Sequence, residues 1–183
     1  MTRLFALALS GLLGLVVLGT GCSVTPDTIE GRNNLMADAE EAMSRFREMD
    51  PRTESFFRNA YAYVVFPKIT MGGAGIAGAY GRGVVFRDGM QDGFADVTQG
   101  SLGAQLGGMS WSEIMFFENR WTFDKFRSNQ FAASANASWA GPNEGGTNTL
   151  NYSGGVMIFT MDTKGFAVTA AVGAQQFNYE ATR

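Results

Sequence analysis

The spacing of apolar residues changes from a helical to a strand period near residue 60. The segment "NLMADAEEAMSRFREMD" carries apolar residues on one side and charged residues on the other, which is typical of an amphipathic helix. Asp50 and Pro51 then predict the end of this helix and the start of a shorter one through "TESFFRNA", with Asp50 as N-cap and Pro51 at the first helical position. Further along, "NRWTFDKFRS" predicts a third helix, capped by Asn119.

From "AYAYVVF" onward most apolar segments are short and bounded by glycine, proline or asparagine, as β-strands are. Further candidate strands are "GAGIAGA", "GRGVVF", "SLGAQLG", "EIMFF", "FAASANASWA", "LNYSGGVMIFT" and "GFAVTAAVGAQQF". Asp88-Gly89 is a turn signal between two of them. The pattern predicts an α+β fold that is mainly antiparallel β, with about 7–9 short strands in a twisted or barrel-like sheet. An N-terminal amphipathic helix and one or two further short helices complete the predicted fold.

The first residues, "MTRLFALALSGLLGLVVLGTGC", have a different pattern. Arg3 is followed by an apolar run and then by small residues that lead into Cys22. This arrangement predicts a secretory signal over residues 1–21, too short to span a membrane comfortably. The position of the cysteine resembles the lipobox of bacterial lipoproteins, in which this residue becomes the acylated start of the mature chain. The alternative is an ordinary signal peptide followed by an incidental cysteine.

The rest of the chain divides into a tether and a domain. Residues 22–33 lack periodicity and contain proline and glycine, which indicates a tether behind the acylated cysteine. Residues 34–183 form the predicted domain. In bacterial lipoproteins an aspartate after the cysteine favours the inner membrane, and here Ser23 follows it. We therefore expect a lipid anchor in the outer membrane, with the domain facing the periplasm.

Composition and charge exclude several function classes. The chain has no histidine, the usual general base at neutral pH and a common metal ligand. With one cysteine it forms no intramolecular disulfide. A net charge of −3 disfavours nucleic-acid binding. Asp88, Asp92 and Asp96 lack the spacing of a calcium-binding loop. We expect no enzymatic activity, no cofactor and no metal site.

One motif points to a nucleotide, namely the G-x-G-x-x-G spacing of Gly73, Gly75 and Gly78. A dinucleotide site requires a strand before these glycines and a helix that opens inside them. The strand is predicted, but Gly81 and Gly83 disfavour the helix and strand-forming residues follow. We therefore expect no nucleotide, and we expect the glycines to allow a sharp bend or a close approach of backbone.

Several segments, taken in order, resemble the SYLF domain, a lipid-binding module found from bacteria to animals. They are "NAYAYVVFPKITMGGAGIAGAYGRGVVF", "QGSLGAQLGGMSWSEIMFF", "FAASANASWAGP" and "TKGFAVTAAVGAQQF". The resemblance spans about Leu35 to Phe177. It implies binding to membrane phospholipids through an N-terminal amphipathic helix and basic surface residues, and it implies no catalysis.

Two sets of residues follow as candidate lipid contacts. The candidate membrane-facing residues of the first helix are Leu35, Met43, Phe46 and Met49, and the alternative is that this stripe docks on the sheet. The candidate headgroup contacts are Arg58, Lys68, Arg82, Lys125 and Arg127, and the alternative is that these are solvated surface charges. Acidic residues outnumber basic ones on the first helix, so it gains little from attraction to anionic lipid.

The expected function is therefore that of a non-enzymatic, phospholipid-binding lipoprotein of the bacterial envelope. Its expected partner is a phospholipid membrane. The alternative is a structural or protein-interaction lipoprotein that binds another envelope protein.

Overall fold

The structure is a computed structural model that describes residues 24–106, 108–130, 132–133, 151–162, 165–168 and 175–182. Its elements, in chain order, are α1 (Ile29–Met49), α2 (Thr53–Asn59), β1 (Ala62–Arg87), β2 (Met90–Leu106), β3 (Met109–Phe117), α3 (Arg120–Arg127), β4 (Ala132–Ala133), β5 (Val156–Asp162), β6 (Gly165–Val168) and β7 (Gln175–Ala181). This confirms the predicted α+β class. None of the described helices has the length and apolar character needed to span a bilayer.

The strands form one antiparallel sheet in the order β4-β7-β2-β1-β3-β5-β6. Over the described residues the sheet is not closed. Six strands have four residues or more and β4 has two, so the sheet has fewer and longer strands than the 7–9 short ones predicted. The main reason is that three predicted strands, "AYAYVVF", "GAGIAGA" and "GRGVVF", belong to the single strand β1. Most of "FAASANASWA" lies outside the described residues.

Strand β1 folds back on itself. Its first half pairs with β3 and its second half with β2, and the second half runs back beside the first. The rings of Tyr63 and Phe86 stack with centroids 5.1 Å apart. Glycine permits this return, because a Cβ atom on Gly83 would lie 2.6 Å from the carbonyl oxygen of Val65. The first residue of β1 and its last residue, Arg87, therefore lie at the same end of the sheet.

We call this end the hairpin end. It holds the turn Asp88-Gly89, whose two residues both have positive φ, 53° and 75°, as a type I′ hairpin turn requires. Strand pairing also places Phe117 and Ala181 here. The opposite end, the far end, holds the pairs Met71–Met109 and Gln99–Gln175.

Both faces of the sheet carry an apolar core. Helix α1 covers one face, where Ala39, Ala42 and Phe46 are fully buried among aromatic residues of the strands. Helix α3 covers the other face near the hairpin end, because the ring of its Phe123 lies 5.4 Å from that of Phe117.

The helix boundaries differ from the prediction at two points. Helix α1 begins at Ile29, inside the predicted tether, because the side chain of Thr28 accepts a hydrogen bond from the Gly31 amide. Helix α2 begins at Thr53 rather than at Pro51. Its predicted N-cap, Asp50, instead belongs to a turn in which its carboxylate accepts the Arg52 amide at 2.9 Å.

Candidate functional site

The outer face of α3 carries an exposed tryptophan beneath a cation. Trp121 is 64% exposed, and the Nζ atom of Lys125 lies 3.5 Å from the centroid of its ring. The helix places them together because they are four residues apart. Thr122, Phe123 and Phe126 are buried on its inner face, so the apolar ring of Trp121 is held at the surface.

The N-terminus of α3 is fixed as predicted. The side chain of Asn119 accepts hydrogen bonds from the amide and the hydroxyl of Thr122 at 3.1 and 3.2 Å. This cap satisfies one of the free amide groups at the helix start. We call the outer side of α3, with Trp121 and Lys125, the Trp121 face. Its orientation is therefore set by the cap as well as by packing.

The C-terminus of α3 is held to the sheet by a buried carboxylate, Asp92. Its side chain accepts a 2.7 Å hydrogen bond from the Tyr179 hydroxyl, forms a 2.6 Å ion pair with Arg87, and lies 4.0 Å from Arg127. Burial, with the Asp92 hydrogen bond in second place, raises the pKa of Tyr179 to about 12. The Arg127 guanidinium also lies over the Tyr179 ring at 5.3 Å. In this structure Arg127 therefore connects α3 to the sheet.

The structure does not gather the five predicted headgroup residues into one site. Lys125 and Arg127 lie on α3. Lys68 lies in the first half of β1 and Arg82 in the second, and the two segments are adjacent, since a Cβ atom on Gly81 would be 2.8 Å from the Lys68 carbonyl oxygen. Arg82 donates a 2.9 Å hydrogen bond to the Tyr80 hydroxyl.

The fifth residue, Arg58, lies on α2. It is exposed and pairs with Glu54 at 3.9 Å. A pair this exposed contributes little to stability, so nothing holds the Arg58 charge in one orientation.

The apolar stripe of α1 docks on the sheet, which is the alternative stated for it. Met43 and Phe46 are buried, Leu35 is partly buried and packs on the same core, and Met49 is exposed. Met43 and Phe46 therefore do not face a membrane in this structure. The physical reason is that the sheet offers the stripe an aromatic surface, which removes it from water as a bilayer would.

The glycine motif lies inside a strand. Residues 73–78 belong to β1, and no helix opens within them. A dinucleotide site of this kind needs the start of a helix at these glycines, so the spacing here lacks the structural context of that fingerprint.

A buried acid, Glu113, lies in the middle of β3. Its Oε2 atom accepts hydrogen bonds from Gln175 Nε2 at 3.2 Å and from Trp111 Nε1 at 3.3 Å. Its Oε1 atom and the Oε1 atom of Gln175 are buried without a hydrogen-bond partner. Burial raises the pKa of Glu113 to about 6, against the two hydrogen bonds, which lower it.

This acid predicts a loss of stability with rising pH. The folded-state pKa lies above the unfolded value of 4.5, so the folded state binds the proton more tightly and the free energy of unfolding falls between about pH 4.5 and pH 7. A shift of this size corresponds to about 2 kcal/mol. Glu113→Gln should remove this fall, as measured by urea unfolding at pH 4.5 and pH 7.5. The exposed Glu118→Gln is the matched control, and a wild-type pH dependence that survives Glu113→Gln would contradict the assignment.

Trp121 and Glu113 were not predicted from the sequence, although a signal for each was present. The helical period that buries Phe123 and Phe126 leaves Trp121 on the opposite side. The strand period places Glu113 on the same face as Met115 and Phe117. No local pattern predicted the hydrogen bond that Gln175 donates to Glu113, because the two residues are 62 positions apart in the chain.

Comparisons with known proteins give a distant relationship. No family model matches the chain. The chain is 26% identical over 151 residues to the beta cell expansion factor A of Aeromonas veronii, and the alignment covers 79% of this chain and 54% of that protein. The chain thus spans about half the length of this relative.

Proposed function

We propose that this chain is a non-enzymatic, phospholipid-binding lipoprotein of the bacterial envelope with a SYLF-type domain. Cys22 carries the lipid anchor in the outer membrane, and the domain faces the periplasm. The signal-like residues 1–21, the ordered series of SYLF-like segments and the distant similarity to beta cell expansion factor A support this proposal.

One observation carries the lipid-binding part of the proposal, namely the exposed pair of Trp121 and Lys125. Tryptophan is enriched at membrane–water interfaces because its ring is apolar and its N–H is polar. The ammonium of Lys125, 3.5 Å from the ring centroid, is placed to meet a phosphate while the ring enters the headgroup layer. The capped and packed helix beneath them presents both groups from a fixed backbone, so binding requires no ordering of the backbone.

Charge contributes little to this binding. On the outer face of α3, Arg120 pairs with Asp124 at 3.2 Å, which leaves Lys125 to supply the excess positive charge. One surface cation contributes about 1 kcal/mol toward an anionic leaflet. Binding should therefore depend mainly on insertion of the Trp121 ring and should extend to zwitterionic phospholipid.

Replacing Trp121 by alanine is the direct test. We expect Trp121→Ala to lower the vesicle partition coefficient of the unacylated chain, residues 23–183, about tenfold, because an aromatic ring leaves the apolar part of the interface. The assay is co-sedimentation with phosphatidylcholine vesicles. Tyr80→Ala is the control, since Tyr80 is also an exposed aromatic residue but lies on β1, away from α3. Equal losses from the two substitutions would refute the role given to Trp121.

A further inference from the structure

The described chain begins beside the hairpin end and is packed there from its first residue. Val24 packs against the core on the α1 face, and Pro26 is buried. The Thr25 amide donates a 3.3 Å hydrogen bond to Glu180 Oε2. Glu180 is the next-to-last residue of β7 and pairs with Phe94.

These contacts shorten the predicted tether. The tether predicted from the sequence comprises residues 22–33, a segment that would extend to roughly 40 Å. Because the chain is already packed at Val24, only two residue steps separate Cys22 from the domain, and they span about 7 Å at most. An acyl chain on Cys22 would therefore enter the bilayer within about that distance of Val24.

The hairpin end also carries exposed apolar side chains. Met90, which follows the turn Asp88-Gly89, is 71% exposed, and Ile29 at the start of α1 is 70% exposed. Met90 lies four residues from Phe94 on β2, about 13 Å along the strand. Helix α3 with Trp121 lies over the same end, since Asn129 just after it accepts the Tyr179 amide at 2.9 Å.

The charges next to Met90 along the chain include one ion pair. Arg87, before the turn, is paired with Asp92, after it, at 2.6 Å. Their opposite charges therefore neutralise each other. The exposed carboxylate of Asp88 lies in the turn itself, within reach of headgroups and water. This arrangement allows Met90 to enter the headgroup layer without the burial of an unpaired charge.

We propose that the protein sits on the bilayer through its hairpin end, with Met90 and the Trp121 face in the headgroup layer and the far end directed into the aqueous space. The proposal rests on the proposed function, because it requires an acylated Cys22. The occupant of this surface is the phospholipid leaflet that holds the anchor. The two-residue connection makes this orientation the one that reaches the membrane with least separation between anchor and domain.

Nitroxide labels at two methionines test the orientation in the full acylated protein. Cys22 is the only cysteine in the sequence, and acylation blocks its thiol, so Met90→Cys and Met109→Cys each give a single labelling site. Met109 is the matched control because it is an exposed methionine at the far end. In phosphatidylcholine vesicles we expect the label at position 90 to collide more with oxygen than with a water-soluble nickel chelate, and the label at position 109 to show the reverse.

The outcomes separate the orientation from the function. Labels that are equally water-accessible at both positions, or a label at 109 that is deeper than the one at 90, would overturn the proposed orientation while the protein still binds vesicles. Mass spectrometry of the same samples reports the acylation of Cys22. A free thiol at Cys22 would overturn the anchor and the orientation that rests on it, and co-sedimentation of the unacylated chain would still test phospholipid binding separately.

Discussion

Phe46→Ala is expected to lower the free energy of unfolding by about 3–5 kcal/mol, the usual cost of removing a fully buried aromatic ring. Phe46 is 0% exposed and lies where α1 docks on the aromatic face of the sheet. The carbonyl oxygen of the same residue accepts the Asp50 amide at 3.0 Å and the Thr53 hydroxyl at 3.3 Å. A collapse around the missing ring would therefore also disturb the connection between α1 and α2.

Urea unfolding of residues 23–183 measures this effect. Met49→Ala is the control, because Met49 lies on the same helix and is 51% exposed, so its loss should stay within about 0.5 kcal/mol. A Phe46→Ala variant that is as stable as the control but binds vesicles less would mean that the stripe of α1 faces the membrane instead of the sheet.

Gly83→Ala is expected to cost about 1–3 kcal/mol through overpacking. A Cβ atom at this position would lie 2.6 Å from the carbonyl oxygen of Val65 and 2.7 Å from Cδ1 of Phe66. The nearer atom belongs to the backbone and cannot move aside as a flexible side chain could. The two halves of β1 would have to separate, which would also pull apart the stacked rings of Tyr63 and Phe86.

Gly72→Ala provides the matched comparison for this effect. The same added Cβ atom at Gly72 meets nothing within 4 Å, and alanine restricts the unfolded chain, so this variant should be as stable as the wild type or slightly more stable. Equal unfolding midpoints in urea for the two variants would show that the halves of β1 do not approach each other as described.

The elements with local signals could be predicted from the sequence. Helix α3 with its cap Asn119 and the turn Asp88-Gly89 follow from the residues at those positions alone. The amphipathic stripe of α1 was found as well, but its partner was left open between the sheet and a bilayer, because an apolar stripe has the same pattern in either case. The position of Phe46 depends on strands that lie more than ten residues further along the chain.

Contacts between distant segments account for the features that were missed. Gly81 and Gly83 lie against residues 65–69 and so bring the two halves of β1 together, but no local pattern says which residues they meet. The tether was predicted as twelve free residues because its periodicity is weak, yet Thr28 caps a helix within it and Glu180, 155 positions away, binds Thr25. The headgroup residues were chosen for their charge and their position along the sequence, and the structure distributes them over α2, β1 and α3 instead of one site.

Vesicle co-sedimentation of the unacylated wild-type chain tests the central claim most directly. The account predicts binding to phosphatidylcholine vesicles at low and high salt, with a modest gain on anionic vesicles that salt reduces. Binding to anionic vesicles alone, lost at high salt, would instead assign the contact to basic residues such as Lys68 and Arg82. A complete absence of binding would contradict the account and favour an envelope protein as the partner of the domain.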